Sequence, residues 1–468
     1  MPNRGQIAER ADGRSTPAPR KLSSLLVASS AATLGLAITA LSAAPAQALP
    51  AFAAQTGQPC QSCHVGGFGP QLTPFGRNFK LHGYTLRTTP FSVPLSAMVE
   101  ASYVQTQKAP SAPPAADYAA NNNFTIDQIS LFFAGGFGPH LGAFIQATYD
   151  GVARAFNWDN LDVRATTDTQ IGGADVVLGA SLNNSPTVDD AWNTLPAWGF
   201  PYSASTLAPG PAAAPLLNGA LAQTTLGATA YAWINNELLV EAGGYGSPGA
   251  TTLTRLGVDP TAPGDIDGLA PYGRIAYQRT VGGGPLEIGA FGMQASIHPG
   301  LDRTTGLTDH YTDLGLDGSY ERTLAAGDIV TVNGRYLHEQ QTLDATCALA
   351  AATGGCRDNT LTDLRADASY YWHDMIGATV SAFDTTGSAN PFVYAANRTL
   401  KPDSTGVTLQ LDGTPFGAGE QPARRANVRV GVQYTFYTRF NGAGINFDGA
   451  GTNASDNNTF RVFTWLAF

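Results

Sequence analysis

Cys60-Gln61-Ser62-Cys63-His64 is the stretch whose residue types and spacing can do chemistry. Two thiols one helical turn apart can each add to a vinyl group of a haem, and the imidazole that follows then reaches the iron as proximal ligand. The spacing therefore predicts one covalent haem c on Cys60 and Cys63, with His64 on the metal. A zinc half-site and a redox dithiol are the other readings of such a pair. Zinc asks for more Cys or His at ligand spacing, and the remaining cysteines, Cys347 and Cys356, are far along the chain. Those two fall in one expected outer loop, where a disulfide stapling the loop is the ordinary outcome in an oxidising compartment.

The elements that must carry this motif begin with an export signal. Arg4, Arg10, Arg14, Arg20 and Lys21 precede an uncharged run from Leu22 to Leu41, and Ala46-Gln47-Ala48 supplies a small-x-small cleavage site. Residues 1–48 read as a signal peptide; a retained anchor would also need about 20 apolar residues, but the Ala/Ser-rich run and the cleavage triplet favour removal. Setting the signal aside takes five basic and two acidic residues from totals of 26 and 36, and the remainder carries a net charge of -13. Only 13% of the 468 residues are charged, against roughly 25% in a soluble domain, so something other than water is expected to cover much of the surface. Nucleic acid is excluded as a partner, because no basic stripe exists to neutralise phosphates.

From about residue 92 onward, segments of roughly ten residues alternate apolar with polar or small side chains, with turn-forming breaks between them. Val428, Val430, Val432, Tyr434 and Phe436 fall on one face, and Arg429, Gly431, Gln433 and Thr435 on the other. In a soluble sandwich the apolar face is core; in a membrane barrel it faces lipid. Connection lengths decide between them. About sixteen strands can be counted, with short breaks after most even strands, as at Asn235-Asn236 and Gly282-Gly283-Gly284, and mostly long ones after odd strands. The expected fold is all-β, a transmembrane antiparallel barrel with lipid outside, preceded by a small haem c plug over residues 49–90, the barrel occupying 91–468. The last strand alternates Phe460, Val462, Thr464, Leu466 up to a terminal Phe468, which resembles the closing-strand signal of outer-membrane barrels.

A segment of about forty residues cannot build a stable core alone, so the haem and the barrel lumen must supply one. Both termini of an even-stranded barrel are periplasmic, which brings the segment into the lumen from that side. Phe75 and Phe79, four apart on a short helix, pack on a porphyrin or on the lumen wall. For the sixth iron ligand the candidates are Met98, at lumen parity in the first strand, His82 and His373; an open sixth site is the alternative. Glu100, Asp162, Arg164, Asp309, Asp313, Asp317, Arg365, Asp367, Arg429 and Arg461 are assigned to the lumen. These, and Asp189-Asp190 in the longest outer loop, read as solvated charges, or as a means of attracting cations such as ferrous iron. No His/carboxylate cluster has clear metal-ligand spacing.

Pro50, Phe52, Gln55-Thr56-Gly57, Cys60, Cys63-His64, Phe75-Gly76-Arg77, Phe79-Lys80 and Gly83-Tyr84-Thr85-Leu86 resemble the signature of the fused monohaem cytochrome-porins of the outer membrane, a family that includes the iron oxidase of iron-oxidising bacteria. The detailed likeness covers about forty residues. One departure is Ala54, where the family usually has Arg. The resemblance implies an outer-membrane electron conduit: an extracellular donor such as Fe(II) is oxidised by one electron at the haem, and a periplasmic c-type cytochrome or other carrier is the partner. A diffusion porin with a structural or sensory haem domain, and a conduit running outward, are the alternatives.

Overall fold

The computed structural model describes residues 50–91, 93–352, 354–415 and 426–468; the expected signal peptide over 1–48 lies outside them. Three short helices come first, α1 (Ala51–Thr56), α2 (Cys60–Cys63) and α3 (Pro74–Leu81). Sixteen long strands follow. They are β1 (Leu95–Thr106), β2 (Asn123–Gly136), β3 (Leu141–Asp150), β4 (Ala155–Ile171), β5 (Ala174–Asn183), β6 (Leu226–Ile234), β7 (Leu238–Gly246) and β8 (Ala270–Val281). The second half comprises β9 (Gly284–Pro299), β10 (Asp309–Thr323), β11 (Ile329–Thr342), β12 (Asp358–Trp372), β13 (Ile376–Gly387), β14 (Ser404–Gly413), β15 (Asn427–Arg439) and β16 (Thr459–Ala467). A three-residue strand, Gly264–Ile266, adds to the end of β9.

Each long strand pairs antiparallel with its neighbours in sequence, and β16 returns to β1, with Met98 opposite Ala467 and Thr106 opposite Thr459. The sheet therefore closes and leaves no edge, which is what a strand structure needs inside lipid. The faces are sorted the same way. In β10, Leu314 and Leu316 are 63% and 59% exposed, whereas the flanking Asp313 and Asp317 are 1% and 6% exposed. An apolar exterior around a polar interior is the inverse of a soluble sandwich and is the membrane-barrel arrangement. The architecture is a closed antiparallel barrel of sixteen long strands with an apolar outer face, and the strand count agrees with the alternation in the sequence.

Except for the longer β14–β15 connection, residues 414–426, short turns join even strands to the next odd one. In one of them, the three-residue turn 235–237, Asn235 and Asn236 both take positive φ, 52° and 57°, a left-handed pair whose twist matches that of the flanking strands. Inward charges are not solvated as expected. Glu100 pairs with Arg461 at 2.6 Å, Asp162 with Arg164 at 2.9 Å, Asp317 with Arg274 at 2.8 Å and Arg429 with Asp412 at 2.8 Å. Only Arg365 and Asp367 of the assigned lumen charges stay half-buried. Buried pairs of this kind add little net stability, but removing one partner strands a charge and is costly.

The longest connection, residues 184–225, does not remain an outer loop. Its Leu195, Leu216, Leu217 and Leu221 pack inside the lumen against Tyr245, Tyr272, Phe291, Met293 and Leu337 of the wall. The backbone N–H groups of Leu216 and Leu217 donate to Glu339 Oε2 (2.6 Å) and Asp313 Oδ2 (2.7 Å). Asp189 and Asp190 are accordingly buried, not offered to external cations. The Asp190 carboxylate accepts from the N–H groups of Trp192, Thr194 and Leu195 at 3.0–3.2 Å and faces Arg274 at 3.4 Å. Apolar loop side chains gain by leaving water, and carboxylates that go in with them must be hydrogen-bonded.

Candidate functional site

Cys60 to Cys63 form one helical turn that starts after Pro59, and the His64 N–H closes it on the Cys60 carbonyl at 2.9 Å. His64 then turns extended and bridges to Leu72. Thr73 caps α3 by accepting from Gly76 N (3.3 Å), and its hydroxyl donates to Ser62 O (2.6 Å), fastening α3 to the thiol turn. Gly76 is required there: a Cβ at this position would lie 2.3 Å from the Cys63 carbonyl oxygen.

The barrel grips this segment at its short-turn mouth. Gly66 N donates to Asp374 Oδ1 (2.5 Å), Thr414 Oγ1 donates to Gly66 O (2.7 Å), and Asn427 Nδ2 donates to Gly67 O (3.1 Å). Burial pushes the Asp374 carboxyl up to about 7, against the pull of the Gly66 N–H. Gly66 also lies against the Tyr371 ring, which a Cβ would meet at 2.6 Å. Arg77 pairs with Glu321 at 2.8 Å. Lys80 donates to the carbonyls of Val188 and Asp190, both at 2.7 Å, and sits over the Trp198 ring. Gln55 ties both ends of the segment to the rim, donating to Tyr84 O and Leu86 O and accepting from Gly136 N, each at 2.7 Å.

Segment, wall and inward loop together line a cavity of about 360 Å³. The segment contributes Phe52, Cys60, Cys63, His64 and Phe79; the wall contributes Met98, Phe132, Phe144 and Trp465; the loop contributes Trp198 and Tyr202. Two thiols, an imidazole and a thioether thus meet one largely aromatic space. Burial pushes both thiols up, Cys63 to about 12. Neutral thiols of this kind lack the thiolate character of a redox pair. Burial also pushes the His64 imidazole down to about 4, with the Arg429 guanidinium adding to the effect, so the ring is neutral. Its Nδ1 is buried without a hydrogen-bond partner among the described residues. Among those residues, no group of three or more His, Cys, Asp or Glu side chains is placed to hold a metal ion.

The three sixth-ligand candidates separate cleanly. Met98 is in the cavity wall. His82 caps its own helix, with Nδ1 on Asn78 O (2.8 Å) and Nε2 3.6 Å from Asp168, and does not line the cavity. His373 does not either: β12 ends at Trp372, so strand parity no longer applies, and the ring bonds Ala326 O in the turn with φ +49°. Phe79 lines the cavity, while Phe75 is 39% exposed and does not. Cys347 and Cys356 form a disulfide in the β11–β12 loop, Cα atoms 5.8 Å apart. Trp198 and Tyr202 have no local signal for a site. The one hint is that residues 184–225 carry more Leu and Trp than a solvated loop would.

No protein-family model matches the chain, and no curated protein matches it. Among solved structures it is similar to in-vitro folded OmpT, an outer membrane protein of Vibrio cholerae, at 12% identity over 81% of this chain and 99% of that one, with a TM-score of 0.43. It is also similar to the outer membrane channel DcaP of Acinetobacter baumannii (11% identity, 80% and 96% covered, TM-score 0.40). A third is OccK10 (OpdN) of Pseudomonas aeruginosa (10% identity, 80% and 98% covered, TM-score 0.39). At those scores the likenesses add nothing to the barrel described above.

Proposed function

We propose that the chain is an outer-membrane electron conduit that holds a single haem c at the periplasmic mouth of its barrel. The observation that carries this reading is the convergence of Cys60, Cys63, His64 and Met98 on one aromatic cavity. The residues fit the group. The two thiols would provide the covalent attachment, the neutral His64 imidazole would provide a nitrogen ligand and Met98 a thioether ligand to the iron, and Phe79, Phe144, Trp198 and Trp465 would provide apolar walls. Bound haem supplies a one-electron carrier, and a thioether ligand raises its potential relative to a second imidazole.

The chain's own residues then do three things. Thr73 and Gly76 hold the thiol turn against α3, the wall and inward loop give the cavity apolar sides, and the short-turn mouth leaves the segment's outer surface to a periplasmic partner. That partner is a c-type cytochrome or a similar carrier, and Fe(II) is the extracellular donor; both follow from the resemblance of residues 50–86 to the cytochrome-porins. The leucine-filled lumen speaks against the diffusion-porin reading.

The test is anaerobic addition of Fe(II) to the purified protein in detergent while its haem absorption is followed. Fast conversion to a ferrous c-type spectrum is expected. A covalent haem that stays oxidised removes Fe(II) as donor, and a chain without covalent haem, exported in a cell competent for cytochrome c maturation, removes the reading altogether. Met98→Ala is expected to change the ferric spectrum and lower the midpoint potential; an unchanged spectrum places the sixth ligand elsewhere.

A further inference from the structure

The loop between His64 and Leu72 is held from behind by an ion pair of defined orientation. Arg429, on the inward face of β15, is 2% exposed. Its Nε donates to Asp412 Oδ2 at 2.8 Å, while its other two nitrogens take other partners, Nη1 donating to Phe68 O and Nη2 to Tyr371 Oη, both at 2.5 Å; the Tyr371 hydroxyl in turn donates to Asp412 Oδ1 at 3.5 Å. Gly69 passes so close that a Cβ there would stand 2.7 Å from Arg429 Nη1. Phe68 and Gly69 line the cavity together with His64. The carboxylate is fixed on its own side, where Asp412 Oδ1 accepts from Gln410 Nε2 at 2.6 Å.

The pair is thus a dipole whose positive end bonds the loop lining the cavity, while Asp412 at its negative end neither bonds that loop nor lines the cavity among the described residues. Burial leaves such a dipole poorly screened by salt. A positive end lowers the energy of a neighbouring centre more when that centre carries one positive charge fewer, which is the reduced state of a one-electron carrier. We propose that Arg429 is a positioning residue that fixes the backbone behind His64 and raises the potential of a haem c held at Cys60, Cys63 and His64, with Asp412 tempering that effect. This inference rests on the haem reading above.

The two partners act with opposite sign, which a purely structural role cannot reproduce. Full-length wild type, Arg429→Gln, Arg429→Lys and Asp412→Asn are purified in detergent. Covalent haem is measured from the alkaline pyridine spectrum, and the midpoint potential by anaerobic titration with redox mediators. Arg429→Gln is expected to lower the midpoint by about 59 mV, a tenfold fall in the reduced-to-oxidised ratio at fixed poise for a one-electron couple. Arg429→Lys recovers most of the shift, and Asp412→Asn moves the midpoint upward. With covalent haem retained, an unchanged midpoint, or a shift of the same sign in Arg429→Gln and Asp412→Asn, overturns the inference. If Arg429→Gln does not assemble a barrel, the direction of the Asp412→Asn shift decides. Wild type without covalent haem instead overturns the reading on which the inference rests.

Discussion

Two stretches without long strands occupy the barrel interior, residues 50–90 at the short-turn mouth and residues 184–225 deeper in, and they are held by different forces. The first is fastened mainly by polar groups of the rim reaching its backbone, as Asp374, Thr414, Asn427 and Arg429 do around Gly66–Phe68. The second is fastened mainly by its leucines packing on inward Tyr245, Tyr272, Phe291 and Leu337. Hydrogen bonds to backbone fix direction and let side chains stand apart, so the first stretch leaves a cavity. Apolar packing is non-directional and tends to fill space, so the second fills the part of the lumen it occupies.

The difference can be broken from either side. Replacing both Cys60 and Cys63 by Ala is expected to abolish covalent haem completely while the barrel still forms. The pyridine spectrum and the heat-dependent shift in gel migration together check this, and a covalent haem surviving the double change would refute the attachment site. Replacing residues 191–222 with a short Gly/Ser linker should convert a barrel with almost no conductance in planar bilayers into an open channel. Equal conductance before and after would show that the loop is not the seal.

Single substitutions sharpen the contrast. Leu217→Ala removes a side chain 2% exposed in the packed half and should cost about 3 kcal/mol of stability, read from thermal unfolding in detergent, with haem attachment unchanged. Gly76→Ala places a methyl group against the Cys63 carbonyl and should cost about 2 kcal/mol by overpacking. Its signature is lower haem occupancy with little change in barrel unfolding; the reverse pattern would mean that α3 serves the barrel and not the thiol turn. The smallest effect belongs to the Cys347–Cys356 disulfide. Its reduction should speed proteolytic cleavage of the β11–β12 loop and leave both unfolding temperature and conductance unmoved.

The sequence by itself determined whatever has a short period or a fixed spacing. Inward and outward faces alternate every residue, so Val430 and Val432 against Arg429 and Gln433 were legible without any partner strand. The turns at Asn235-Asn236 and Gly282-Gly283 announce themselves by the left-handed conformations they require, and the Cys60–His64 spacing singled out the segment that the structure places at the cavity. Tertiary structure alone decided three other things. It folded residues 184–225 inward, because the matching apolar surface is spread over β7 to β11 and has no local signature. It withdrew Asp189 and Asp190 from solvent, because the N–H groups that satisfy Asp190 belong to a turn that forms only when the loop docks. It also chose Met98 over His82 and His373 as the neighbour of the cavity. Parity assigned both Met98 and His373 to the lumen, but parity ends with the strand. Which lumen side chain meets the thiol turn depends on barrel closure, which places β1 beside β16 and the N-terminal segment against both.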